Sequence, residues 1–129
     1  MKLQPDQMDV QAVTAYSKDW IAINGEKHFE SLLISSEGQR DPFGLLKPEH
    51  LTTSHLEQLI ELKGKGIELV LLGSGQKLKF LPKQWLTAFN NAKLGFETMD
   101  TPAACRTYNI LAGEGRKVAA LLLIEPPTA

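Results

Sequence analysis

Cysteine is almost missing: Cys105 is the one thiol among 129 residues. No disulfide can close within the chain, and no cysteine-rich zinc site can form. An excess of charge is missing too. Fourteen Lys+Arg against 15 Asp+Glu leave a net charge of −1, so nothing in bulk pulls the chain toward nucleic acid or an anionic membrane. The longest apolar run, Val118 to Ile124, falls far short of the about 20 residues that span a bilayer. Met1-Lys2-Leu3-Gln4-Pro5-Asp6 lacks the basic-then-apolar order of a signal peptide. The expectation is a cytoplasmic protein with no membrane insertion. Repeats, low-complexity tracts and linker-like stretches are absent as well. What is there, 43% hydrophobic and 22% charged residues, fits one ordinary globular domain over 11–127, behind a polar, frayed segment 1–10.

The N-terminal third reads as β structure. Val13 and Ala15 alternate with polar neighbours, and Asn24-Gly25 is the strongest hairpin signal in the chain, since both residues tolerate the positive φ of a type I′ turn. His28, Phe29 and Leu32 to Ile34 are expected to form the returning strand. Gly38, Pro42, Gly44 and Pro48 make Glu37 to Pro48 a loop.

From Ser54 onward the pattern alternates. Ser54 and Glu57 fit a capping box, with Leu56, Leu59 and Ile60 on one helical face and Gly64 or Gly66 at the end. Ile67 to Leu72 is a short apolar run that stops at Gly73-Ser74-Gly75, the mark of a buried central strand. Pro82 suits a first helical turn, Trp85, Leu86 and Phe89 form that helix's stripe, and Gly95 takes the place of a left-handed cap. Phe96 to Met99 is another strand. Thr101 as cap and Pro102 at the first helical position open a helix through Leu111, and Val118 to Ile124 is a last buried strand. This order predicts an α/β fold in three layers: a central mixed, largely parallel sheet, flanking helices and an N-terminal antiparallel β unit. Parallel pairing is expected for the strands at Ile67 and Phe96; the direction of the last strand stays open.

Ligands of open α/β sheets bind at the carboxyl ends of parallel strands. Here those ends carry Gly73, Ser74 and Gly75 on one side and Asp100 and Thr101 on the other. With Cys105 and Asn109 further along the same helix, these seven residues define a candidate crevice for a small ligand, most naturally an anion. The plainer reading is that the glycines turn the chain, Asp100 and Thr101 cap the helix, Cys105 is packed and inert, and Asn109 is an ordinary helix residue. No catalytic set is complete. Ser74 lacks a Gly-x-Ser-x-Gly elbow, the glycines match no nucleotide loop, and His50 and His55 stand five apart, off a common helix face. No cofactor or metal is expected.

Two stretches carry a resemblance: Val70 to Gly75, and Asp100-Thr101-Pro102-Ala103-Ala104-Cys105-Arg106-Thr107-Tyr108-Asn109-Ile110-Leu111. They resemble a small domain of unknown function found in bacteria and archaea, and in a mitochondrial assembly factor of respiratory complex I. Glu114-Gly115-Arg116, Ala119-Ala120-Leu121 and Pro126-Pro127 extend the likeness, which is most specific in the second half. The resemblance implies an Mth938-like fold with a central mixed sheet and no established catalytic residue or cofactor. It also implies a chaperone-like role exercised through protein partners.

Overall fold

The structure, a computed structural model, describes residues 10–127; of the segment expected to be frayed, 1–9 lie outside the described residues. The chain opens with β1 (Val13–Tyr16), β2 (Ile21–Ile23) and β3 (Glu26–His28), followed by β4 (Ser31–Ser35) and β5 (Arg40–Gly44). Then come α1 (Thr53–Ile60), β6 (Leu69–Gly73), α2 (Lys83–Asn91), β7 (Gly95–Met99), α3 (Thr101–Gly113) and β8 (Val118–Leu122).

Asn24 and Gly25 turn the β2–β3 hairpin, with φ of 50° and 88°, as the dipeptide predicts. The returning strand is shorter than expected. It ends at His28, and Ser31–Ser35 crosses into a second sheet as β4. β1, β2 and β3 pair antiparallel in that order; the second sheet runs β5-β4-β8-β6-β7. In it β6 pairs parallel with both β7 and β8, whereas β4 pairs antiparallel with β5 and β8. The sheet is therefore mixed, and the expectation of a largely parallel one holds only for β7, β6 and β8.

Alternation along the central strands sends side chains to two cores. Leu71, Ala120, Leu122, Leu32 and Ile34 pack with Ala104, Cys105 and Tyr108 of α3 and with Ile21 and Ile23 of the small sheet. On the other face Val70, Leu72, Leu121 and Leu33 meet Leu59 of α1 and Trp85 and Phe89 of α2. Phe89 stacks on Phe96 of β7 at a centroid distance of 4.3 Å. Fully burying each leucine, isoleucine, valine or phenylalanine among these contributes about 1.5–3 kcal/mol.

Several boundaries differ from expectation for identifiable reasons. The loop expected over 37–48 contains β5, whose Pro42 is tolerated because β5 is an edge strand. The cap of α1 is Thr52, whose backbone N–H donates to His55 Nδ1 at 2.9 Å; Ser54 lies inside the helix. Gly66, at φ 94°, ends the 3-10 turn that continues α1. Pro82 caps α2 from just outside it. Lys93 takes the left-handed turn after α2, at φ 57°, and Gly95 instead begins β7. An added Cβ there would lie 3.0 Å from Leu69 Cδ1 and 3.1 Å from the Glu68 carbonyl oxygen, so its bareness permits close strand approach.

Candidate functional site

The parallel β6–β7 pair, in register from Leu69↔Gly95 to Gly73↔Met99, brings both junction loops to one rim. The Ser74 N–H donates to the Met99 carbonyl at 2.8 Å, and the Thr101 N–H to the Gly75 carbonyl at 2.7 Å. Thr101 is the first residue of α3, not its cap. Asp100 is the cap, its Oδ1 accepting the Ala103 N–H at 2.8 Å. That frees the Thr101 hydroxyl to accept the Gly75 N–H at 2.9 Å and donate to the Leu123 carbonyl at 2.8 Å. One buried oxygen thus ties β6's loop, α3 and the segment after β8 together.

Gly73 and the first turn of α3 lie in close contact. A Cβ on Gly73 would sit 3.0 Å from Thr101 Cα and 3.2 Å from Ala104 Cβ. The glycine lets α3 lie directly on the strand end. The Ser74 side chain is buried; its hydroxyl donates to the Lys77 carbonyl at 2.7 Å and accepts the Lys79 N–H at 3.0 Å, pinning the loop that follows.

Cys105 is 1% exposed and packs in the core beneath α3. Burial pushes its thiol up to about 12, outweighing the opposing pull of the Arg106 charge. Asn109 turns away from Gly73 and Thr101 toward the small sheet. Its Oδ1 accepts the Val13 N–H at 2.8 Å and its Nδ2 donates to the Val13 carbonyl at 2.7 Å. Beside it the buried Tyr108 hydroxyl donates to the Gln11 carbonyl at 2.8 Å, and Arg106 Nη1 to the Tyr16 hydroxyl at 2.8 Å. The structure gathers Gly73, Ser74, Gly75, Asp100 and Thr101 at one rim, leaves Cys105 in the core beneath α3, and places Asn109 against the small sheet. Sequence reading missed Tyr108 as a partner of that sheet; its place next to Asn109 was the available signal.

Outside the rim, the loop after β6 borders an open cleft of about 330 Å³ that includes Lys18, Lys47, Lys77, Lys79 and Glu125. These residues come from distant parts of the chain, and no linear pattern announces them.

Residues 13–123 match the family described as protein of unknown function DUF498/DUF598, and the chain is a member of it. An uncharacterised protein of Rhodobacter capsulatus is 32% identical over 120 residues, covering 91% of this chain and 90% of that one. NADH dehydrogenase [ubiquinone] 1 alpha subcomplex assembly factor 3 of rat is 44% identical over 61 residues, 47% of this chain. The match spans only about a third of that relative, 32% of its length. Among solved structures, an Mth938-like domain from Bordetella pertussis superposes with a TM-score of 0.82 at 28% identity, covering 99% of this chain and 95% of that one. No helix among the described residues is long and apolar enough to cross a membrane.

Proposed function

We propose that this chain is a non-enzymatic interaction module with an assembly-factor-like role, aiding the building of a respiratory membrane complex through protein partners. The reading takes 11–127 as one three-layer unit working in the cytoplasm. The observation that carries it is the likeness over 61 residues to NADH dehydrogenase [ubiquinone] 1 alpha subcomplex assembly factor 3. The chemistry of this segment supports it. Asp100 Oδ1, the Thr101 hydroxyl and the Asn109 amide bond backbone partners within the fold. Cys105 is buried with its thiol held protonated. A nucleophile needs a base within reach and a thiolate at working pH; these residues supply joints instead.

Deletion of the gene, with quantification of the assembled NADH dehydrogenase on native gels, tests the proposal. Loss or delay of the full complex, restored by the wild-type chain, is the expected outcome. Undiminished assembly contradicts it.

A further inference from the structure

Four lysines converge on one cleft of a chain whose net charge is −1. Lys18 from the turn after β1, Lys47 from the segment after β5, and Lys77 and Lys79 from the loop after β6 line the same cleft. Asp19 and Glu125 are the acidic residues of its lining. Glu125 is already engaged: Oε2 stands 3.3 Å from Lys79 Nζ, and Oε1 accepts the Gln76 N–H at 3.2 Å. Gly75, at φ +108°, makes room for it, because any Cβ there would collide with the Glu125 carboxylate. The loop thus already cradles one carboxylate with an ammonium and a backbone N–H. Glu49, outside the lining and fully exposed, has its carboxyl held low first by a backbone hydrogen bond and in smaller part by Lys79 and Lys47.

Lys18, Lys47 and Lys77 remain without an ion pair among the described residues. Asp19 alone offsets them within the lining. The loop also sorts its side chains. Lys77 and Lys79 line the cleft, while Leu78 and Phe80, 50% and 76% exposed, stand outside the lining. The lysines line a cleft rather than a flat face, Lys18 and Lys77 exposed and Lys47 and Lys79 half-buried. An extended acidic peptide fits a recess, and complementary charge sets which partner is accepted.

We propose that this cleft docks an acidic segment of a protein partner, whose carboxylates pair with Lys18, Lys47 and Lys77. The inference rests on the partner-binding reading above and names the chemistry of the partner. A short synthetic Glu-Gly repeat peptide titrated into the full chain, followed by amide NMR shifts at low salt, tests it. Saturable shifts centred on Lys18, Lys47, Gln76, Lys77 and Lys79 are expected. The Lys47→Glu/Lys77→Glu variant should bind about tenfold or more weakly, with Lys18→Glu as an independent second variant. Lys83→Glu on α2 should leave binding unchanged. Absence of saturable shifts, or binding as tight as wild type by both cleft variants, overturns the proposal. Inorganic phosphate giving the same shifts at the same concentrations would assign a free-anion site instead. Phosphatidylserine vesicles binding more tightly than the peptide, with the same lysine dependence, would assign a bilayer. A cleft variant that fully restores complex assembly in the deletion strain leaves the assembly role standing and sinks the docking site.

Discussion

Asn109 and Val13, 96 residues apart in sequence, form a two-hydrogen-bond pair in which the asparagine amide imitates a neighbouring strand, accepting the Val13 N–H at 2.8 Å and donating to its carbonyl at 2.7 Å. β1 is an edge strand, and such an edge carries backbone groups in need of partners. The helix supplies them. In Asn109→Ala both are lost. We expect a stability loss of about 1–2 kcal/mol and faster hydrogen exchange at the Val13 amide, with the β6 and β8 amides still protected. Unchanged exchange at Val13 would refute the pairing.

Gly73 is required by proximity alone. Its added Cβ meets Thr101 Cα at 3.0 Å, a backbone atom that cannot swing aside. Gly73→Ala should destabilise the fold by about 1–3 kcal/mol, read from the urea midpoint. A neutral result would mean that α3 can lift from the strand end without cost.

Ser74 fixes the loop bordering the lysine cleft through its contacts with Lys77 and Lys79. Removing the hydroxyl in Ser74→Ala should cost about 1 kcal/mol and raise exchange at the Lys79 amide. The effect should stay within the loop; if exchange rises across β6 and β7 as well, the serine supports the whole sheet end.

Alkaline pH should weaken the fold. Burial raises the Cys105 thiol from an ordinary value of 9.0 to about 12 and moves the Tyr108 hydroxyl up from 10.0 as well. The unfolded chain then binds fewer protons than the native one above about pH 9, so stability falls as pH rises from there toward 12. Below about pH 8 these two groups contribute almost no slope. Urea unfolding at stepped pH measures this. Iodoacetamide should leave native Cys105 unmodified near neutrality and label it in denaturant; native labelling at pH 7 would contradict a packed thiol.

Much of the architecture is legible in the residues because glycines bound apolar runs. Leu69–Gly73 and Val118–Leu122 fall within a residue or two of what their patterns predict at most ends. Where two good capping residues adjoin, pattern alone cannot choose. Asp100 and Thr101 both cap well, and the choice is made by Leu123 and Gly75, which claim the threonine hydroxyl. Thr52 escapes notice because its reciprocal partner is His55, an uncommon residue in a capping box. β5 is hidden by Pro42 and Gly44, which only an edge position allows. The rim formed by Gly73 and Thr101 follows from parallel neighbours, but the turning of Asn109 toward Val13 depends on where the small sheet docks. The lysine cleft is assembled from four separate segments, so no local spacing betrays it.

Thr101 tests the central idea, that the segment Asp100–Asn109 is a structural joint. Thr101→Val keeps the shape and removes the hydroxyl, leaving the Gly75 N–H and the Leu123 carbonyl unpaired in a buried site. Urea unfolding of this variant should show a loss of about 2–3 kcal/mol. Wild-type stability, together with lost complex assembly in the deletion strain, would make Thr101 a contact residue and contradict the account.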